Sequence, residues 1–343
     1  MHLSIIVPVY NAQKTIETCL SALVRELGLN DELIVVDDFS NDQTPELIKK
    51  FLGPNVKVIS VSKNQGQGAC RNKGVASARI DTDAFVFIDS DIEVKDGSLE
   101  IVREAFLSNP HLSALTGMIS IEHPYKNFFS VYKNTYMNTI FSSLPREVNF
   151  LYGGVCAMKK ADFISWPHYD LLGEDTQLGL TLSSSGKKIE LIKELEVIHH
   201  KYYSLRSIIK NDFMIPFGFA KSFLFFLKQI RLGNLRNQSS QFSHVSPRQL
   251  LGLILSSSTF LALCLGLREA PLVFVVLCLG SLFVNSSFLL KLTRHHGPIF
   301  ALKGILWTFI DQVIMTCGAF FGLIYHGKIL ISKKSKEERL EHY

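Results

Sequence analysis

The sequence is short of most signatures that would assign a function directly. It has six cysteines but no CxxC pair and no metal-site spacing, so they read as reduced core thiols of a cytosol-facing protein. No basic segment precedes the first apolar stretch. Met1 to Val9 is cut by Pro8 and reads as a first strand, not a signal peptide. Residues 1–245 carry no charge excess, with twenty-six acidic and twenty-six basic side chains. That excludes the basic face a nucleic-acid partner requires. The net charge of +5 lies wholly in residues 246–343, which hold ten Lys and Arg against five Asp and Glu. Two nucleotide motifs are also missing. Gln65-Gly66-Gln67-Gly68 lacks the spacing of a dinucleotide fingerprint, and there is no GxxxxGK[ST], so nicotinamide-dependent and P-loop ATPase readings both fall.

What is present is an alternation of strands and helices. Leu3 to Val9, Leu33 to Val36, Val56 to Val61 and Phe85 to Ile88 are short apolar runs. Helical patterns separate them over Thr15–Leu27, from Thr44 with Pro45 at its first position, and over Ala69–Arg79. This order predicts βαβ units and a mostly parallel, Rossmann-like α/β sheet. The organising stretch is Phe85-Val86-Phe87-Ile88-Asp89-Ser90-Asp91, a buried strand that runs into an Asp-x-Asp pair. Ligands of open α/β sheets bind beyond the carboxyl ends of the strands. Asp89 and Asp91, two residues apart on extended backbone, point to the same side. Such a pair suits a hard divalent cation, Mg²⁺ or Mn²⁺; the alternative is an ordinary surface turn. Asn11 and the pair Asp37-Asp38 reach the same edge from two other strands.

Ser4-Ile5-Ile6-Val7-Pro8-Val9-Tyr10-Asn11, Ile34-Val35-Val36-Asp37-Asp38-Phe39-Ser40-Asn41-Asp42, Ala69-Cys70-Arg71-Asn72-Lys73-Gly74 and Asp89-Ser90-Asp91 follow in this order. Together they resemble the family 2 glycosyltransferases with the GT-A fold, over roughly residues 3–205. The resemblance implies a nucleotide-sugar donor, UDP- or GDP-linked, bound along Pro8, Tyr10 and Asn11. Asp38 would lie near the base, with Asp37 the weaker choice. Asp89 would lie near the ribose and metal, Asp91 on the metal, and Arg71 near the phosphates. Gly153 and Gly154 resemble the acceptor-side strand, where small residues let the sugar approach the backbone. Glu174-Asp175 matches the family's acidic pair, with Asp175 the general base. A His after the strand ending Val197-Ile198-His199-His200 contacts the metal or diphosphate in related enzymes, and the Val-x-His pattern selects His199 over His200. The Gln-x-x-Arg-Trp motif of processive synthases is missing, so transfer of a single sugar is expected.

The remainder reads as a membrane part, giving three regions: a catalytic domain over 1–210, an amphipathic interfacial segment and linker over 211–247, and a transmembrane region with a basic tail over 248–343. Phe213 to Ile230 is dense in Phe and Leu but interrupted by Pro216 and Gly218, as an interfacial helix would be. Leu250–Leu267 and Pro271–Leu290 are long enough to cross a bilayer, and the three residues Arg268-Glu269-Ala270 between them predict a helical hairpin. A third run, Ile299–Tyr325, contains Lys303 and Asp311 and is either a third span or re-entrant. Lys291 and Arg294 put the hairpin ends inside, with the catalytic domain cytoplasmic and the protein multi-pass in the cell membrane. The basic tail Lys333-Lys334-Ser335-Lys336 fits that rule only if the third run is re-entrant. The expected acceptor is membrane-associated, a polyprenyl phosphate or a lipid-linked glycan, and membrane lipids are a partner. The competing reading is an inactive glycan-binding or scaffold subunit of a glycan-assembly complex.

Overall fold

The computed structural model describes residues 1–167, 173–233, 243–265 and 271–340. Two compact units emerge. One holds the chain up to Tyr202 together with Ser243 and His244; the other holds residues 203–233 and the chain from Val245 onward.

The first unit is built on one mixed sheet. Its first strands are β1 (Leu3–Val9), β2 (Glu32–Asp37), β3 (Val56–Ser60) and β4 (Ala84–Ile88). They alternate with the helices α1 (Ile16–Glu26), α2 (Thr44–Lys49) and α3 (Gln67–Ala76). These four strands are all parallel, in the order β3-β2-β1-β4. Buried on both faces, they are continuous apolar runs rather than alternating ones. Ile5, Val7, Leu33, Val35, Val86 and Ile88 pack with Ile16, Leu20 and Leu23 of α1. On the opposite face Phe87 meets Trp166 edge-on at 5.1 Å between ring centroids.

Beyond β4 the chain adds β5 (Ile92–Val94), α4 (Ser98–Ser108), β6 (Leu112–Ile119), α5 (Phe128–Ser143), β7 (Glu147–Val148), β8 (Val155–Lys159), α6 (Glu174–Ser184) and β9 (Lys188–His199). Here the direction changes. β8 runs antiparallel between β4 and β6, and β9 pairs parallel with β6 but antiparallel with β5. The sheet order is β3-β2-β1-β4-β8-β6-β9-β5, with β7 on β9. The strand order reverses at β1 and β4, where the crevice of an α/β sheet opens.

The second unit contains α7 (Leu205–Arg231), α8 (Pro247–Cys264), α9 (Pro271–Val284), α10 (Ser286–His296) and α11 (Pro298–Leu340). α7 runs unbroken through Pro216 and Gly218. Gly318 and Gly322, one turn apart on α11, sit so close to the backbone of Phe213 and Phe217 that a side chain at either would collide with a carbonyl oxygen. Small residues at this spacing let two helices approach backbone to backbone. The run Pro271–Leu290 is not one span. It breaks at Asn285, where the two helices bend by 61°. Arg248 donates to the carbonyls of Val284 (2.6 Å) and Phe283 (3.1 Å), which the break leaves without helical partners. Gln312 completes the joint, donating to Asn285 Oδ1 at 2.9 Å and accepting from Ser256 at 2.7 Å. Asp311, at 0 % exposure, is buried within protein.

By length and composition, two helices among the described residues can cross a membrane, Leu205–Arg231 and Pro298–Ile329; the bent pair makes a third if it counts as one span. α8, expected as the first span, is not among them. The connection Arg268-Glu269-Ala270 and the side chains of Lys333-Lys334-Ser335-Lys336 lie outside the described residues.

Candidate active site

The carboxyl ends of β1, β2 and β4 deliver the predicted residues to one edge, each in a distinct setting. Pro8 is buried within β1, and Tyr10 and Asn11 emerge exposed beyond it. Asn11 takes a positive φ of 49° and accepts a hydrogen bond from the Asn41 amide at 2.9 Å. Asn tolerates this left-handed conformation better than most residues. Asp37 is buried and accepts from the Ser40 amide at 3.2 Å. Both Asp38 oxygens are taken by the backbone, from Gln65 at 2.7 Å and Gly66 at 2.9 Å. Asp38 therefore fixes the turn that leads into α3.

Arg71 is the hub of the site. Its side chain is 1 % exposed, and its guanidinium lies over the Trp166 ring at 4.1 Å. One terminal nitrogen donates to Asp89 Oδ1 at 2.6 Å and to the Gly153 carbonyl at 3.3 Å. The other donates to Glu174 Oε1 at 2.9 Å. Arg71 thereby ties α3, the end of β4, the 153 segment and the start of α6 together. Gly153 is a packing necessity: a Cβ there would lie 3.1 Å from the guanidinium and 3.4 Å from Asp175 Oδ2.

Asp175 sits in the first turn of α6, half-buried. Its Oδ2 accepts from the Gly153 amide at 3.0 Å and its Oδ1 from the Thr176 amide at 2.7 Å. Burial raises its carboxyl above the ordinary range, while the two amide donors and Arg71 work the other way. Glu174 is pushed up to about 7, chiefly by burial and also by its acidic neighbours Asp175 and Asp89, against the pull of Arg71. Burial likewise raises Asp89. Asp91 differs. Burial would raise it too, but the charge and hydrogen bond of His199, with Lys201, hold it down to about 2.

Asp91 Oδ2 and His199 Nε2 are 3.1 Å apart. His200 turns away to Glu93 Oε2 at 2.6 Å, so the two adjacent histidines do serve opposite sides. Among the described residues, no three His, Cys, Asp or Glu side chains already form a metal cage. As donors, the carboxylate and imidazole of Asp91 and His199 suit Mn²⁺, and Asp91 is 35 % exposed. Asp89 fits less well, because Arg71 holds one of its oxygens.

The parallel 3-2-1-4 start, the antiparallel β8 and the acidic strand-end edge form the mixed α/β sheet of GT-A type glycosyltransferases. Residues 4–165 match the family model Glycosyl transferase family 2. This stretch, a little under half of the chain, is a family 2 glycosyltransferase domain. The chain is similar to the O-antigen chain rhamnosyltransferase RfbN of Salmonella typhimurium, at 24 % identity over 62 % of this chain and 71 % of that one. It is also similar to the poly-beta-1,6-N-acetyl-D-glucosamine synthase of Staphylococcus epidermidis, at 21 % identity over 96 % and 77 %. The succinoglycan biosynthesis protein ExoO of Rhizobium meliloti is 36 % identical, but the chain spans only 21 % of its length. Among solved structures, the mannosyltransferase PcManGT of Pyrobaculum calidifontis, in complex with GDP-Man and Mn²⁺, shares the fold. Its TM-score is 0.56 at 15 % identity, covering 94 % of this chain and 86 % of that one.

Glu174 yields a pH test. Its folded pKa of about 7 exceeds the ordinary 4.5, so its proton stabilises the fold fully below about pH 4.5, and that contribution is lost as pH rises through 7. The loss is of order 3 kcal/mol. Glu174→Gln should flatten this part of the profile, so that its melting temperature gains on wild type between pH 5 and pH 8. Parallel profiles for the two proteins would contradict the assignment.

Proposed function

We propose that the protein is an inverting, metal-assisted glycosyltransferase that moves one sugar from a UDP- or GDP-sugar to a membrane-associated acceptor. The observation that carries this reading is the separation of two carboxylate environments. Asp91, about a third exposed, is held strongly acidic beside a histidine, whereas Asp175 is raised in pKa and fixed by two backbone amides. A transfer that inverts the anomeric carbon needs this division, one group at the leaving diphosphate and another at the attacking hydroxyl.

Asp175 is the general base. Its two amide donors keep it ionised and aimed, while burial brings its pKa closer to working pH, where proton transfer is most effective. Tyr10 and Asn11, with the Asp37-Asp38 turn, take the donor nucleotide, and Gly153 and Gly154 leave room for the sugars. Asp91 and His199 would hold the divalent cation, with the free oxygen of Asp89 beside them; bound there, it neutralises the departing diphosphate, worth several kcal/mol in the transition state. A base of this kind serves a hydroxyl acceptor, since the oxygen of a polyprenyl phosphate is already ionised. A lipid-linked glycan is therefore the acceptor class we favour. The names of relatives in O-antigen and poly-N-acetylglucosamine synthesis support a glycan acceptor, and the Mn²⁺ complex of the mannosyltransferase supports the metal.

The membrane reading rests on connectivity. α7 starts at Leu205, three residues after the first unit ends, and the chain is back in that unit at Ser243. If α7 crossed the bilayer, the nine residues between Gly233 and Ser243 would have to cross back. A helical crossing takes about 20 residues, and non-helical backbone facing lipid is not tolerated. We therefore place α7 along the surface, on the cytoplasmic side where nucleotide sugars are made. A cysteine replacing Arg231 should be labelled from the cytoplasmic side only; labelling from outside would refute this placement.

Catalysis is tested by two variants. Asp175→Asn should lower turnover about 10²–10⁴-fold with donor affinity unchanged. Asp91→Ala should remove the Mn²⁺-dependent part of nucleotide binding, read by thermal shift. Wild-type turnover of both variants in EDTA would overturn the proposal.

A further inference from the structure

Ser243 is the first described residue after the linker, and it sits in an unusual state. It is 2 % exposed and takes a positive φ of 52°, a conformation that costs a non-glycine residue free energy and persists only where surroundings enforce it. Its amide donates to Asn149 Oδ1 at 3.2 Å. Its hydroxyl lies 3.2 Å from Thr176 Oγ1, a buried pair in which either group can donate. The ring of the next residue, His244, stacks on Phe141 at 6.0 Å and meets Phe150 edge-on at 5.8 Å. Burial, helped by the charge of Lys133, lowers the His244 pKa to about 4, so at neutral pH the ring is an uncharged wedge.

These contacts converge on one pair of elements. Asn149 and Phe150 begin the segment that ends at Gly153, whose amide holds Asp175 Oδ2. Thr176 supplies the amide that holds Asp175 Oδ1. The Ser243-His244 dipeptide thus touches both elements from which the carboxylate is gripped. Arg71 joins the same two elements through the Gly153 carbonyl and Glu174. Gly179 adds to the packing, since a side chain there would strike the backbone of Phe150.

We propose that Ser243 is a positioning residue for the transfer reaction: it staples the 149–153 segment to the start of α6 and so fixes Asp175 in line with the acceptor hydroxyl. The inference rests on the reading of Asp175 as general base. Three residues after His244 the chain enters α8, so the staple belongs to the very stretch of chain that joins the catalytic unit to the C-terminal helices. A first unit ending at Tyr202 would lack it.

The test is Ser243→Gly in the full-length protein, in detergent or nanodiscs. Glycine accepts φ 52° without strain but has no hydroxyl, so the variant should fold at least as well as wild type. kcat should fall about 10–100-fold, the range expected when a catalytic group is displaced by about an ångström, with donor KM unchanged. In the Asp175→Asn background, Ser243→Gly should have no further effect on kcat, because the group it positions is gone. Unchanged kcat for Ser243→Gly, or losses that multiply in the double variant, would overturn the staple. If Asp175→Asn alone keeps the wild-type rate, it is the base assignment that fails, and the staple with it.

Discussion

The buried guanidinium of Arg71 is the interaction on which the site depends. Three acidic side chains, Asp89, Glu174 and Asp175, converge behind the strand ends, and burial raises the pKa of each. Without a cation among them they would repel one another or take up protons. Arg71 supplies the charge and, through its planar fork, several directions at once; a lysine offers one point charge. Removing one partner of a buried ion pair typically costs about 3–5 kcal/mol, and Arg71 has two such partners. It is therefore a structural cation that lets a carboxylate-rich site exist in a low-dielectric setting.

The same interaction links fold to chemistry. Arg71 holds α3, and the turn before α3 is fixed by Asp38. The fork then reaches the end of β4, the Gly153 carbonyl and the start of α6. The strand-end edge and the start of α6 thus share one connection, although they come from residues about a hundred positions apart. Asp91 stands apart from this network, paired with His199, about a third exposed and held acidic.

The first half of the catalytic unit was legible in the sequence because its rules are local. Strands buried on both faces are apolar throughout, helices between them show their spacing, and acidic residues directly after strands land on one edge. The roles of Glu174 and Arg71 were not legible, since they are set by a contact across 103 positions. The reversal at β8 has no local signal either, because Val155–Lys159 reads the same in both directions. In the membrane part, composition located the helices but not their breaks. α7 continues through Pro216 where Gly318 and Gly322 bring α11 against Phe213 and Phe217, and the run Pro271–Leu290 breaks at Asn285, where Arg248 and Gln312 make hydrogen bonds to the joint. Ser243 and His244 lay in a stretch that reads as a polar linker. Only a positive φ and a set of distant partners reveal them, and neither is visible in sequence.

The central claim is that attack and departure occur on opposite faces of the sugar, with Asp175 on one side and the metal-bound diphosphate on the other. The most direct measurement is the anomeric configuration of the first product formed from an α-linked nucleotide sugar, read by NMR from the coupling between the first two ring protons. The account predicts a β-linked product. An α-linked product would contradict the base assignment and the single-displacement mechanism together.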